Sequence, residues 1–257
     1  MSAETALITG ASSGIGWELA RLFARDRSDL VLVARNQQRL EALAEELRRD
    51  HQVQIVVLPH DLSDPTAPRR IFDQLAERGI VIDVLVNNAG FGAVGKIAKL
   101  PLTTQTEMVQ VNVAALAQLT RLFLPGMIGR KRGGVLNVGS TAGFQPGPNM
   151  AVYYATKAFV LSYTEALAEE LLGTGVHATC LAPGATATGF QEAAKLGDAL
   201  LFRYGVMEVV RVARAGYQGF RRGQVLVIPG LKNKLGAMAV RFAPRKLVRK
   251  VVKRLQG

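Results

Sequence analysis

The sequence predicts an α/β protein built on a doubly wound parallel sheet of about seven strands, and three observations carry that prediction. Short runs rich in Val, Ile and Leu alternate with longer helix-type segments through most of the chain. The apolar runs are continuous rather than alternating, which suits strands buried on both faces of a parallel sheet. No repeat, low-complexity tract or linker interrupts the pattern before about residue 184, so right-handed strand–helix–strand crossovers would wind into one domain.

Ala6–Thr9, Leu30–Ala34, Gln54–Leu58, Val84–Asn87, Val135–Val138 and Val176–Ala182 read as strands. Val225–Ile228, bounded by Gly223 and Pro229-Gly230, reads as the last one. Between them, Ile15–Arg27, Gln37–Arg49, Pro65–Arg78, the long stretch Thr104–Arg130 and Ala151–Leu172 have helical character. Within Gln37–Arg49, for example, Leu40, Leu43, Ala44 and Leu47 recur at three- and four-residue spacing, with Glu and Arg on the other face. Residues 1–230 are expected to form the domain, and residues 231–257 a basic, amphipathic helical extension of it.

The net charge of +12 is unevenly placed. Residues 1–208 carry 19 Lys and Arg against 20 Asp and Glu, whereas residues 209–257 carry 13 Lys and Arg and no acid. The basic character therefore belongs to the C-terminal segment and gives the rest no argument for nucleic-acid binding. The single cysteine, Cys180, excludes an internal disulfide and fits a buried core position. His51, His60 and His177 are scattered without metal-ligand spacing, so no metal site is expected. The N-terminus runs directly into the first strand with no leader pattern. No stretch reads as the ~20 apolar residues of a spanning helix. A cytoplasmic protein is the expectation.

Directly after the first strand stands Thr9-Gly10-Ala11-Ser12-Ser13-Gly14-Ile15-Gly16. A glycine-rich strand-to-helix turn lets backbone approach a pyrophosphate at the positive end of the next helix. At the end of the second strand, Ala34-Arg35-Asn36 supplies a cation and an amide where an acid would be needed to bond a ribose 2′-hydroxyl. Arg35 suits a 2′-phosphate, with Asn36 able to donate beside it, which favours NADP(H). The competing reading of Arg35 is a solvated arginine at a helix start.

The glycine loop resembles that of the short-chain dehydrogenase/reductase family, whose Thr-Gly-x-x-x-Gly-x-Gly pattern is matched in full. The resemblance spans roughly residues 4–188 and implies a Rossmann-like fold. It assigns the cofactor to Gly10, Ser12, Ser13, Gly14, Ile15 and Gly16, with Asp61 and Leu62 at the adenine. Asn88, Ala89 and Gly90, from the Asn-Asn-Ala-Gly turn that begins at Asn87, would contact the ribose. Pro183, Gly184, Thr186 and Thr188, in a matching Pro-Gly-x-x-x-Thr segment, would contact the carboxamide and pyrophosphate.

Tyr153 and Lys157 stand four apart in a helix-type segment, so they can share one face. An ammonium beside a phenol favours the phenolate, which brings a group of reference pKa about 10 toward useful general-base work. Tyr154, three residues before the lysine, is allowed by the same geometry. The resemblance, through the interval from Ser140, selects Tyr153. It implies Tyr153 as acid/base, Ser140 bonding the substrate oxygen, Lys157 lowering the phenol pKa and holding the nicotinamide ribose, and Asn112 anchoring a proton-relay water.

Gly189–Gly205, with Phe190, Leu196, Leu200, Leu201, Phe202 and Tyr204, would cover the substrate and suggests an apolar ketone, aldehyde or alcohol. The same residues could instead simply pack the lid. In the tail, Leu247, Val248, Val251, Val252 and Leu255 form a stripe, with six basic residues on the remainder. Docking of that stripe on the domain or a second subunit stands beside peripheral membrane contact through residues 244–256 and, last, nucleic-acid binding. The family resemblance also implies a homo-oligomer, dimer or tetramer. A function of another class, an NADP(H)-binding redox-sensing regulator, would call for a damaged catalytic set, whereas Ser140, Tyr153 and Lys157 are all present.

Overall fold

The computed structural model describes residues 4–187 and 206–256, with side chains through Arg254 in the last helix. Seven parallel strands form one sheet in the order β3-β2-β1-β4-β5-β6-β7. They are β1 (Thr5–Thr9), β2 (Asp29–Ala34), β3 (Ile55–Pro59), β4 (Val84–Asn87), β5 (Gly133–Val138), β6 (Val176–Leu181) and β7 (Leu226–Val227). The described helices are α1 (Gly14–Arg25), α2 (Gln37–His51), α3 (Ala67–Glu77), α4 (Leu102–Val109), α5 (Leu116–Arg130), α6 (Ala151–Glu170), α7 (Val209–Arg221), α8 (Leu231–Phe242) and α9 (Arg245–Gln256).

The continuous apolar strands are explained by two cores, one on each face. Ala6, Ile8, Leu30 and Leu32 face α1, α2 and α7, whose Leu19, Phe23, Leu43, Leu47, Val212 and Phe220 complete that layer. The intervening Leu7, Val31 and Val33 face the other way, onto Ile71 and Leu75 of α3, Leu119, Phe123 and Met127 of α5, and Leu167 of α6. Each strand thus divides its side chains by the two-residue period between layers that are both closed.

Between α4 and α5, Gln110–Ala115 is π-helical, and the whole runs as one helix from Leu102 to Arg130. This corrects one expectation: by length and composition alone the helix could cross a membrane. Here its buried side, including Met108, Ala115, Leu119 and Phe123, packs into the protein core, and it carries the buried polar Asn112.

The C-terminal extension forms two helices. Pro244 disfavours helical backbone in the residue before it, and Ala243 accordingly sits at φ −81, ψ 140. Val248 and Val252 of α9 are buried with Ala142, Met150 and Tyr154. That half of the predicted stripe docks on the domain, whereas Leu247 and Val251 stay exposed. Thr188, the lid Gly189–Gly205 with its apolar residues, and the side chain of Leu255 lie outside the described residues.

Candidate active site

β1 is flanked by β2 and β4, so chain winding reverses beside it and a crevice opens at the C-terminal strand ends. Thr9, the last residue of β1, ties the two turns bordering that crevice. Its hydroxyl donates to the Val86 carbonyl at 3.2 Å and accepts the N–H groups of Asn88 and Ala89, each at 3.0 Å. The Asn88 side chain donates to the carbonyls of Thr9 (2.9 Å) and Gly10 (3.2 Å). Gly10 has φ +67, and a Cβ there would stand 2.7 Å from Asn88 Nδ2; one at Gly16 would stand 2.5 Å from the Gly10 carbonyl oxygen. These glycines are what permit the close approach.

The glycine turn fits a bound pyrophosphate on two observations. Gly14 at φ +58 turns the chain tightly into α1. Ser13 enters that helix in extended backbone and makes no capping hydrogen bond with its side chain, so its hydroxyl leaves the first-turn N–H groups to another acceptor. Ser12 and Ile15 border the same turn, partly accessible.

Arg35 follows β2 directly, its side chain 79% exposed and its guanidinium 4.0 Å from the Asp61 carboxylate. Asp61 is fixed in its own turn by accepting the Ser63 N–H at 2.9 Å, and Leu62 beside it is buried. Asn36 caps α2, its Oδ1 accepting the Arg39 N–H at 3.0 Å. Its carbonyl is therefore occupied, and only the amide nitrogen is left to donate beside Arg35.

Ser140, Tyr153 and Lys157 converge where β5 ends. The Ser140 hydroxyl accepts the Ala142 N–H at 3.1 Å and donates to the Pro183 carbonyl at 3.4 Å. Lys157, buried on α6, donates from Nζ to the Val138 carbonyl at 2.8 Å and lies 5.9 Å from the centre of the Tyr153 ring. Burial pushes the Lys157 ammonium down to about 8. Burial pushes the Tyr153 phenol up to about 12, while a hydrogen bond with Ser140 acts in the opposite direction. The phenol is thus raised by desolvation rather than lowered as expected, and the Lys157 ammonium is directed at Val138. Tyr154 is the more deeply buried of the two, in the apolar cluster with Met150, Val248 and Val252 and against Gly147, although Tyr153 packs against the same cluster.

Asn112 sits in the π-helical segment, a device frequent at functional sites. Its Oδ1 accepts the Phe91 N–H at 3.0 Å, and its Nδ2 donates to the Phe91 carbonyl (2.9 Å) and Thr156 Oγ1 (3.0 Å). The amide clamps the chain after Gly90 to α6, so both of its N–H bonds are spent on protein. A Cβ at Gly90 would stand 3.0 Å from Asn112 Oδ1 and 3.4 Å from Lys157 Nζ.

After β6, the Pro183 carbonyl accepts the Thr141 N–H at 2.8 Å, and Thr186 Oγ1 donates to the Gly184 carbonyl at 3.0 Å. Asn233 of α8 closes over Gly184, where a Cβ would stand 2.5 Å from Asn233 Oδ1. Sequence reasoning left Thr9, Thr156 and Asn233 out of the site. Thr9 was visible as the first letter of the loop motif; Asn233, far along the chain, left no spacing signal.

A seven-stranded doubly wound sheet, a glycine turn at its switch point and a serine, tyrosine and lysine brought together beside it define a dinucleotide-type oxidoreductase class. The short chain dehydrogenase family model matches residues 4–198, and the chain belongs to that family of oxidoreductases. It is 39% identical over 197 residues to sulfoacetaldehyde reductase 2 of Chromohalobacter salexigens, covering 76% of this chain and 77% of that protein. It is 36% identical over 186 residues to a short chain dehydrogenase of Pseudocercospora fijiensis, covering 72% of this chain but only 60% of that longer protein. Among solved structures, a short-chain dehydrogenase from Sphingobium yanoikuyae in complex with NADPH superposes with a TM-score of 0.85 at 36% identity, over 95% of this chain and 94% of that one.

Proposed function

We propose that this chain is an NADP(H)-dependent reductase that interconverts a ketone or aldehyde with its alcohol, with Tyr153 as the acid/base. The observation that carries the reading is the convergence of Ser140, Tyr153 and Lys157 at the end of β5. NADPH, when bound, supplies the hydride. Ser140 holds the substrate oxygen, and the Tyr153 hydroxyl gives that oxygen its proton as the carbonyl becomes an alcohol. Burial keeps the phenol protonated at neutral pH, so the proton to be given is in place. Lys157 holds a proton next to the phenol on the same helix face and is available to restore it. Asn112 positions both by fixing the Gly90–Phe91 segment to Thr156.

Arg35 and the capped Asn36 at the end of β2 support NADP(H) over NAD(H), since a guanidinium matches a phosphate in charge and in its fork of donors. Gly10, Ser12, Ser13, Gly14, Ile15 and Gly16 would hold the pyrophosphate, Asp61 and Leu62 the adenine, and Asn88, Ala89 and Gly90 the ribose. Pro183, Gly184, Thr186 and Thr188 would border the nicotinamide. An apolar substrate is in keeping with the apolar cluster of Met150, Tyr154, Val248 and Val252 against which Tyr153 packs. The sulfoacetaldehyde relative favours a small anionic substrate instead, so the test must include one. The reading extends to self-association as a dimer or tetramer and to the cytoplasm, where NADPH is kept reduced. The deciding experiment is NADPH oxidation against a panel of bulky ketones, medium-chain aldehydes, acetoacetyl thioesters and sulfoacetaldehyde. Tight NADPH binding with no turnover of any of them would replace the enzyme by a cofactor-binding regulator.

A further inference from the structure

The outer faces of α8 and α9 are dressed for a phase other than water. Leu231, Leu235, Met238 and Phe242 are exposed by 72%, 57%, 54% and 86% respectively. Their spacings of four, three and four place them on one narrow stripe of α8. Asn233, Ala237 and Val240 form the opposite side, Ala237 buried and the other two partly so, which is the side the helix turns to the domain. The stripe is therefore not the helix's packing face. On α9 the division repeats in smaller form: Val248 and Val252 are buried, while Leu247 and Val251 are exposed by 54% and 48%. Solvent-facing apolar residues occur singly on most proteins, but contiguous stripes mark a binding surface.

The charge around the stripe selects the occupant. Residues 231–257 contain nine Lys and Arg and no Asp or Glu. Lys232, Lys234 and Arg241 flank the stripe on α8, and the α9 cations from Arg245 to Arg254 are all exposed. A second copy presenting the same face would bring two strongly cationic surfaces together, which opposes self-pairing. Nucleic acid would answer the cations and leave the apolar stripe in water. An anionic bilayer answers both, with acyl chains for the stripe and phosphate headgroups for long cationic side chains that reach up past it.

We propose that α8 and α9 form a docking surface for an anionic phospholipid membrane, with α8 lying in the interface on its Leu231–Phe242 stripe. The inner sides of the same two helices contribute Val240, Val248 and Val252, and the turn between them Ala243, to the apolar cluster that includes Tyr153 and Tyr154. Docking would place the bilayer one helix thickness from that cluster. This would bring an apolar substrate dissolved in lipid close to the site, a consequence that rests on the proposed function, whereas the docking itself does not.

The test is flotation of the full chain with vesicles of phosphatidylcholine alone or mixed with phosphatidylglycerol, in low and high salt. The native protein is expected to float with the anionic vesicles and to lose about tenfold or more of its binding in phosphatidylcholine alone or in ~1 M NaCl. The paired substitution Leu235→Glu with Phe242→Glu should lower binding by a similar factor while leaving cofactor affinity and solution turnover as they were. Absence of native flotation overturns the proposal. So does equal flotation of the paired variant, or a mass measurement in which that variant splits an oligomer while flotation persists. Because flotation is read independently of turnover, failure of the catalytic reading leaves this result intact.

Discussion

The Lys157 ammonium donates to the carbonyl of Val138, the last residue of β5, at 2.8 Å. This bond seats a cation inside the protein, and burial pushes its pKa from 10.5 down to about 8. The folded state then releases the lysine proton near pH 8, while the unfolded chain keeps it to about 10.5. Over that interval unfolding takes up a proton, so this group's contribution to stability rises with pH. At pH 7 the buried charge costs about 3 kcal/mol, at ~1.4 kcal/mol per pKa unit. Lys157→Met should therefore stabilise the cofactor-free protein at pH 7 by on the order of 2 kcal/mol, after loss of the Val138 bond. The advantage should shrink toward pH 10. Urea unfolding of both proteins at the two pH values checks it; a pH-independent difference would rule the account out.

Tyr153 and Tyr154 touch one apolar cluster, but Tyr153 lies beside Ser140 and Lys157, and their phenylalanine variants should differ accordingly. Tyr153→Phe removes the proposed proton donor and should lower turnover by about 100-fold or more, with NADPH binding nearly unchanged. Tyr154→Phe keeps the ring packed against Gly147 and should retain most activity. Steady-state rates together with NADPH titrations separate the two; similar losses would move the acid/base role away from Tyr153.

Arg35 is well exposed, and its acidic neighbour Asp61 stands at 4.0 Å, so its charge is available to a ligand. Arg35→Ala should weaken NADPH by roughly 10- to 100-fold, the loss of a charge-assisted contact, and leave NADH almost untouched. Comparing kcat/KM for the two cofactors reads this directly. Equal losses for both would make Arg35 a structural residue.

Gly16 and Gly236 predict opposite results for the same change. A Cβ at Gly16 would meet the Asn88 amide and the Gly10 carbonyl, and backbone cannot yield as a side chain can. Gly16→Ala should cost about 1–3 kcal/mol and cofactor affinity with it. Gly236 lies within α8 with nothing within 4 Å of a Cβ, so Gly236→Ala should stabilise by ~0.5–1 kcal/mol. Thermal melts and NADPH titrations of both variants provide the check.

The sheet was legible in the sequence because its central strands bury both faces, which forces short unbroken runs such as Leu30–Ala34, and their repeated alternation with longer helical segments marks them as strands. The glycine turn was legible because glycine takes positive φ angles at Gly10 and Gly14 without strain and leaves room for the close approach of Asn88. Spacing placed Lys157 within reach of either Tyr153 or Tyr154 on one helix, and it was the family resemblance, through Ser140, that singled out Tyr153. The protonation of Tyr153 and Lys157 could not be read, because a pKa depends on burial and on partners such as Val138 that come from another strand. The amide clamp of Asn112 on Phe91 and Thr156, and the closure of Asn233 over Gly184, are likewise long-range contacts with no local signature. The tail shows the boundary most plainly. Sequence alone determined that it is a basic helix with an apolar stripe. Only the tertiary structure decided which apolar residues meet the domain and which face outward, because the depth of a groove is a property of the folded surface and not of the helix that fills it.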